Sequence, residues 1–204
     1  GAPMLVLHGG WGPAENEEHR LDILSEEIRS KFRIIYFHQR GWGRSKIEEV
    51  TGTYTSTSID ANIADCEVLR QHFGIDKWAV VYGGSNGATL GLAYAAKYFG
   101  STVSGLVLRG LWLIREQDLD HDYGDGKNGK GKYYPAQWRR FIGHVGYKTR
   151  ADLERLETSE NPGLELVNKY WELMTGDGPE KSRKAAASWL KWDGLGATVG
   201  ATML

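Results

Sequence analysis

The stretch WAVVYGGSNGATLGLAYAA, from Trp78 to Ala96, decides the fold. It begins as an apolar run typical of a strand buried on both faces, and it ends with small residues at helical spacing. A serine between glycines at a strand-to-helix turn is the pattern of a nucleophile elbow, and glycine at Gly83 and Gly87 avoids collisions in so tight a turn. We therefore expect Ser85 to be a nucleophile at the carboxyl edge of a sheet. The alternative is a plain glycine-rich turn.

A nucleophile at this place needs donors for the oxyanion that forms during attack. The backbone N–H of Asn86 opens the helix, where the helix dipole also favours negative charge. A second donor is expected from another strand-end loop, and His8-Gly9-Gly10 follows the first apolar run. We therefore predict that Gly9 or Gly10 supplies it and that His8 shapes this loop, although the glycines could also form an ordinary turn.

Apolar runs alternate with helical patterns along the first half of the chain. The predicted strands are Met4–Leu7, Arg33–Phe37, Trp78–Tyr82 and Gly105–Leu108, and the predicted helices are Glu17–Arg29, Ile59–Phe73 and Asn86–Phe99. A start signal for the second helix is Thr57 with Asp60 three residues later. Strands that alternate with helices in this way predict a parallel sheet with helices on both faces.

The pattern changes after about Arg115. The segment DLDHDYGDGKNGKGKYYP, from Asp118 to Pro135, is polar and rich in glycine and predicts a loop. The helices predicted beyond it are Ala136–Ile142, Arg150–Glu157, Gly163–Met174 and Pro179–Trp192. We therefore expect a core domain over residues 1–115 and a helical cap over residues 116–204.

Composition excludes several classes of protein. The 204 residues carry a formal net charge of -1, which does not indicate nucleic-acid binding. No apolar run approaches the roughly 20 residues that span a bilayer. The single cysteine, Cys66, excludes an internal disulfide, and the first residues lack the layout of a signal peptide. We expect a cytoplasmic protein that binds neither nucleic acid nor membrane, and the sequence does not indicate its oligomeric state.

Two apparent ligand motifs are rejected. Gly124–Gly131 nearly matches a phosphate-binding loop, but glycine stands where a serine or threonine should bind magnesium and no apolar strand precedes it. The spacing of Asp118, Asp120, Asp122 and Asp125 does not fit a calcium loop, so a solvated acidic loop is expected. Cys66 lies among apolar residues on a helix face and is expected in the core. We predict no metal and no cofactor.

The motifs LVLHGG, QRGWGRS, YGGSNGATLGLAYA and LVLRGLWLIR occur in this order, and YYPAQWRRF and AAASWLKWD follow later. Together they resemble the serine-type proline iminopeptidases of the α/β-hydrolase superfamily over nearly the whole chain. The resemblance implies an α/β-hydrolase fold with a mostly parallel sheet and a helical cap. It also implies release of an N-terminal proline, or a similar residue, from a peptide or an amino-acid arylamide through an acyl-enzyme on Ser85.

The same resemblance assigns two substrate-binding residues. Arg109 matches the arginine of the family's LRG motif beside the substrate pocket. Asp193 falls where the family carries a cap glutamate that binds the free amino group of the substrate. Helical spacing places Ala186, Trp189 and Asp193 on one face, so Asp193 could present an anion to an ammonium group. Asp193 could equally end its helix and face water.

The sequence departs from the family at four places. Trp11 replaces a proline, His38 an aspartate, Asn86 a tryptophan and Asp193 a glutamate. The backbone donors do not depend on these side chains, whereas pocket shape and the distance to the substrate ammonium do. Selectivity for proline is therefore the property that these replacements place in question.

The catalytic acid and base are not identifiable in this chain. In α/β-hydrolases they follow the serine on later strands, and none is predicted here. The family that the chain resembles also starts with residues upstream of Gly1, so we expect a fragment truncated at both ends. After Ser85 only His121 and His144 could replace the base, and both are expected at the surface. Two alternatives stay open: a related esterase or amidase that ignores the free amine, and a catalytically incomplete hydrolase-like chain that binds ligands.

Overall fold

The computed structural model describes residues 1–10, 24–45, 57–176 and 178–196. The chain divides into two compact units, Gly1–Leu113 and Ile114–Leu204. Trp11 and the predicted helical residues 17–23 lie outside the described ranges.

The first unit is built on a sheet of four parallel strands. These are β1 (Ala2–Leu7), β2 (Phe32–Tyr36), β3 (Val80–Gly84) and β4 (Leu106–Arg109). Their order across the sheet is β2-β1-β3-β4, and every neighbouring pair is parallel. The predicted parallel sheet is confirmed, although β3 begins two residues later than expected. Trp78 forms only an isolated bridge with Val103.

The described residues of this unit form three helices: α1 (Glu26–Lys31), α2 (Ile59–His72) and α3 (Asn86–Tyr98). The predicted start signal of α2 is wrong by one residue. Ser58, not Thr57, is the N-cap, because its extended backbone lets its hydroxyl accept the N–H of Ala61 at 3.2 Å.

The main core of the unit lies between the sheet and the helices α2 and α3. Leu5 and Val81 of the sheet are fully buried, and so are Cys66 of α2 and Tyr94 of α3. The expectation that Cys66 is a core residue is confirmed. On the other face, Met4, Val6 and Tyr82 pack in a smaller cluster with Leu24. Both faces of the central strands are therefore covered, as their continuous apolar sequences require.

The second unit is helical over its described residues. It contains α4 (Glu116–Leu119), α5 (Pro135–His144), α6 (Arg150–Glu157), α7 (Pro162–Thr175) and α8 (Pro179–Asp193). The last four match the predicted helices within two residues at each end.

The loop predicted over residues 118–135 is wrong in part. The segment contains the end of α4, a π-helical turn at Asp120–Gly124 and a 3-10 turn at Lys130–Lys132. Distant side chains stabilise the π-helical turn: the indole N–H groups of Trp138 and Trp192 donate to the carbonyls of Tyr123 and Asp122. Buried backbone groups need such partners. Across the described ranges, the helices are too short or too polar for a membrane span.

Candidate active site

Ser85 stands in a strained turn between β3 and α3. Its φ of 53° and ψ of -123° lie outside the regions that non-glycine residues ordinarily occupy. Its N–H donates to the carbonyl of Arg109 at 2.8 Å, which ties the turn to the end of β4. Ser85 is exposed, whereas the glycines on either side of it are buried. The serine is thus exposed at the carboxyl edge of the sheet, and its strained turn is hydrogen-bonded to the neighbouring strand.

The close approach of chain segments explains the glycines of the motif. A Cβ atom at Gly83 would lie 2.1 Å from the carbonyl oxygen of Gly87. A Cβ atom at Gly87 would lie 2.2 Å from the carbonyl oxygen of Leu7, at the end of β1. Neither position has room for a side chain, so the turn that presents Ser85 depends on both glycines.

The loop after β1 lies directly against this turn. A Cβ atom at Gly9 would be 2.5 Å from the carbonyl oxygen of Gly84 and 2.9 Å from the Cβ of Ser85. The next residue, Gly10, has a φ of +85°. The structure therefore brings Gly9 to the predicted nucleophile, and Gly10 lines the same cavity as Ser85. Asn86 is the first residue of α3, where a backbone N–H has no partner within the helix.

A cavity of about 280 Å³ opens beside Ser85. Its lining residues are Val6, Leu7, His8, Gly9, Gly10, Tyr36, Tyr82, Gly84, Ser85 and Arg109. Tyr36 and Tyr82 flank Val6 in register on the two neighbouring strands, so two phenol rings border the apolar side of the cavity. The combination of an apolar wall and few polar groups is typical of a small-molecule site.

His8 is buried, and its ring nitrogens face backbone groups of its own loop and of Gln39. Nε2 accepts the backbone N–H of Gln39 at 3.1 Å, and Nδ1 lies 3.3 Å from the carbonyl oxygen of Gly9. The Gln39 side chain donates back to the carbonyl of His8 at 2.9 Å. Both ring nitrogens face backbone groups, which supports the predicted loop-shaping role. Sequence reasoning missed Gln39, which is as buried as His8.

Arg109 ends β4 and lies at the same edge of the sheet. Its Nη2 atom would be 3.6 Å from a Cβ atom at Gly84, so the guanidinium lies beside the residue that precedes Ser85. The side chain is exposed. A cation at the rim of the cavity can attract a carbonyl or carboxylate of a bound molecule.

Asp193 is the last residue of α8 and belongs to the unit Ile114–Leu204. Its Oδ1 accepts the hydroxyl of Tyr123 at 3.3 Å. Lys130 donates to the carbonyls of Trp192 and Asp193 at 2.8 and 3.1 Å, and its ammonium lies 5.0 Å from the centre of the Trp192 ring. The carboxylate of Asp193 is therefore neither free nor fully exposed.

Burial changes the titration of the groups around Asp193. It lowers the pKa of the Lys130 ammonium, although the Asp193 and Asp122 carboxylates oppose that change. Burial likewise raises the pKa of Asp122 and of the Tyr123 hydroxyl. Sequence reasoning missed Tyr123 and Lys130, and Lys130 drew notice only as part of the rejected phosphate-loop motif.

The remaining predicted polar residues have structural partners. Asp120 accepts the N–H of Gly163 at 2.7 Å, and Asp125 accepts the N–H of Lys127 at 2.7 Å. The expectation of a solvated acidic loop is therefore wrong in part, since these carboxylates order the segment. His121 and His144 are exposed, as expected. In the part of the chain that the structure describes, no three potential ligands cluster as a metal site would require.

Comparison with known proteins finds sequence similarity along nearly the whole chain. A family model described as the alpha/beta hydrolase fold matches residues 2–196. Proline iminopeptidase of Xanthomonas citri is 33% identical over 196 residues, which make up 95% of this chain and 54% of that protein. Proline iminopeptidase of Arabidopsis thaliana is 33% identical over 193 residues, with 95% and 44% covered. The chain thus spans about half the length of the curated relatives it matches.

A solved structure supports the fold. This chain superposes on the crystal structure of VinJ with a TM-score of 0.50 and a sequence identity of 16%. The alignment covers 92% of this chain and 58% of the VinJ chain. The predicted resemblance to the proline iminopeptidases is confirmed by the curated relatives, and the α/β-hydrolase fold that the resemblance implied is confirmed by the family model.

Proposed function

The chain belongs to the α/β-hydrolase fold family, and on that premise we propose that it carries the nucleophile half of a serine aminopeptidase. The reaction is release of an N-terminal proline, or a similar residue, from a peptide or an amino-acid arylamide. Ser85 forms the acyl-enzyme, and the second unit acts as a helical cap. The relatives of Xanthomonas citri and Arabidopsis thaliana, both named proline iminopeptidase, support this choice of substrate.

One observation carries the proposal: an exposed serine in a strained conformation, with a glycine loop packed against it. Strain of this kind costs about 1–3 kcal/mol and persists only where the surrounding structure imposes it. The proposal is supported by the close approach of Gly9 to the Cβ of Ser85 and to the carbonyl oxygen of Gly84. An ordinary surface turn requires neither feature.

The geometry supports the first chemical step. The Ser85 oxygen attacks the carbonyl carbon of the scissile amide, a C–O bond forms, and the carbonyl oxygen becomes an oxyanion. The N–H groups of Asn86 and of Gly9 or Gly10 stabilise that charge. Collapse of the intermediate breaks the C–N bond, and the leaving amine takes a proton. The resemblance alone assigns Asp193 to the ammonium of the substrate, and Arg109, at the rim of the cavity, is assigned to a carbonyl or carboxylate of the substrate.

The proton of Ser85 needs a base, and the described histidines differ in their suitability. His8 lines the cavity, but its ring nitrogens face Gln39 and Gly9, so it is assigned a structural role. His121 and His144 are exposed and remain candidates for a substitute base. A base and an acid on another part of a longer protein are the alternative, as the triad order of α/β-hydrolases implies.

The proposal is tested by hydrolysis of proline p-nitroanilide and p-nitrophenyl acetate by the purified chain. Ser85→Ala should abolish both activities, whereas Ser104→Ala, at an exposed serine of the same unit, should leave both unchanged. If Ser85→Ala retains full activity, Ser85 is not the nucleophile.

Two other results separate the alternative functions. Hydrolysis of the ester that is insensitive to Asp193→Ala, without hydrolysis of the anilide, would identify an esterase. A folded chain that hydrolyses neither substrate would show that these residues alone are not a working enzyme. In that case His121 and His144 are not substitute bases.

A further inference from the structure

Two consecutive residues after β2 connect the loop after β1 to helix α2. Gln39, which is only 3% exposed, donates its backbone N–H to the His8 ring and its side-chain amide to the His8 carbonyl. Arg40 donates through Nε and Nη2 to the two carboxylate oxygens of Asp65 at 2.6 and 2.8 Å. A two-bond ion pair of this geometry fixes orientation as well as distance. The ion pair of Arg40 therefore restrains the adjacent residue Gln39, which in turn hydrogen-bonds His8.

The opposite side of the same loop lies against the Ser85 turn. A Cβ atom at Gly87 would be 2.7 Å from the carbonyl oxygen of His8, and Gly9 contacts Gly84 and Ser85. The loop is thus fixed between Gln39 on one side and the turn on the other. Loss of the Gln39 amide would leave the His8 carbonyl without its side-chain donor in a buried place, and the loop would move to find another.

We propose that Gln39 is a positioning residue for the oxyanion site, anchored by the Arg40–Asp65 ion pair. It acts through His8 and sets where the N–H groups of Gly9 and Gly10 lie relative to the Ser85 oxygen. Donors of this kind must be placed within a fraction of an ångström to stabilise the oxyanion. This inference rests on the proposed function for the role of Ser85, and it adds a residue that contacts neither substrate nor nucleophile.

Phenylboronic acid tests the proposal without a leaving group. It forms a tetrahedral adduct on a serine oxygen and places a charged oxygen in the oxyanion site. We expect the Kd for phenylboronic acid to be about tenfold to hundredfold higher in Gln39→Met than in the wild-type chain. A small displacement of catalytic groups has effects of this size. The matched control is Gln71→Met, at an exposed glutamine on α2, and it should stay within about twofold. Equal affinities of Gln39→Met and wild type would overturn the proposal.

A second variant separates positioning from general loss of stability. In Gln39→Glu, a protonated carboxyl can donate to the His8 carbonyl, whereas a carboxylate cannot. Its affinity relative to wild type should therefore recover as the pH falls from about 7 to about 5, within the range of a buried carboxyl group. Gln39→Met should show no recovery. Parallel behaviour of the two variants would contradict a role through this hydrogen bond.

The backbone amides give a readout that does not depend on hydrolysis. In Gln39→Met, the Gly9 and Gly10 amide resonances should shift and exchange with solvent about tenfold faster than in Gln71→Met. If the wild-type chain does not bind the boronate, these residues alone do not form the serine adduct, and the Gly9 and Gly10 resonances alone decide the positioning role. Unchanged resonances would overturn it.

If Gln39→Met does not fold, Arg40→Met takes its place, because it removes the anchor at a partly exposed site. The control is then Arg150→Met, which removes an exposed ion pair with Glu154. Arg40→Met should weaken boronate binding and shift the Gly9 and Gly10 resonances, whereas Arg150→Met should do neither. The same result for both arginine variants would contradict the proposal.

Discussion

The hydroxyl of Tyr123 donates to the carboxylate of Asp193 across 70 residues of chain. The bond joins the π-helical turn to the last residue of α8, and Lys130 binds the carbonyls at the same helix end. Tyr123 thus contacts the Asp193 carboxylate, whereas Lys130 contacts the backbone at the same helix end.

Asp193→Asn should weaken binding of a substrate amine. Removal of the charge leaves an ammonium group without its counter-ion, so the affinity for prolinamide should fall at least about tenfold. Calorimetric titration measures the change, and Asp76→Asn, at an exposed position of the other unit, is the control. Equal affinities of wild type and Asp193→Asn would remove Asp193 from the site.

Gly87→Ala and Gly143→Ala should have opposite effects on stability. A methyl group at Gly87 would meet the Leu7 carbonyl, whereas nothing lies within 4 Å of the same group at Gly143 in α5. The first variant should lose about 2–3 kcal/mol of unfolding free energy, as overpacked sites do. The second should gain about 0.5–1 kcal/mol, because alanine favours a helix over glycine. Urea denaturation measures both, and loss of stability in both would refute the prediction.

Glu67 should contribute to acid sensitivity. Burial alone would raise its pKa, but hydrogen bonds from Arg70 and Tyr94 favour the carboxylate and hold the pKa below its ordinary value. A carboxyl group with a lowered folded-state pKa stabilises the fold above its unfolded-state pKa, and this contribution is lost as the pH falls through the lowered value.

Glu67→Gln should therefore flatten the acid side of the stability profile. Denaturation midpoints measured from neutral to acidic pH provide the test. Glu180→Gln, at a side chain 75% exposed, serves as the control and should keep the wild-type slope. An unchanged slope in Glu67→Gln would show that other carboxylates determine the acid response.

Lys130→Met should loosen the end of α8. The variant keeps the aliphatic stem against Trp192 but removes the donors to two helix-terminal carbonyls, so a loss of about 1–2 kcal/mol is expected. Lys184→Met removes only an exposed ion pair with Glu180 and should change stability by less than about 0.5 kcal/mol. Thermal denaturation compares the two, and an equal effect of both substitutions would argue against a special role for Lys130.

The sequence was sufficient for the elements whose signals are local. The apolar run, the glycines and the helical spacing around Ser85 lie within one short segment, so strand, turn and helix could be predicted together. The approach of Gly9 to the Ser85 turn was predictable for the same reason, since Gly9 and Gly10 follow β1 after a single residue, His8. At these positions the backbone needs a positive φ or a close approach that only glycine allows, so the glycines themselves are visible in the sequence as a signal.

The sequence was insufficient where the partners lie far apart. The carbonyls that stabilise the π-helical turn accept from Trp138 and Trp192, which follow them by 15 and 70 residues. Gln39 binds His8 across 31 residues. A polar, glycine-rich segment has no hydrophobic periodicity from which these contacts could be predicted. The segment is ordered by tertiary hydrogen bonds rather than by local propensity.

The strained backbone of Ser85 has a consequence for neutral drift. Selection for stability alone would favour glycine at this place, since glycine takes a positive φ without the steric cost that a side chain brings. A lineage that no longer needs the hydrolysis proposed for Ser85 should therefore replace this serine with glycine early, before the core diverges. The residue at position 85 can then serve as a marker that separates descendants that retain the proposed hydrolysis from those that have lost it.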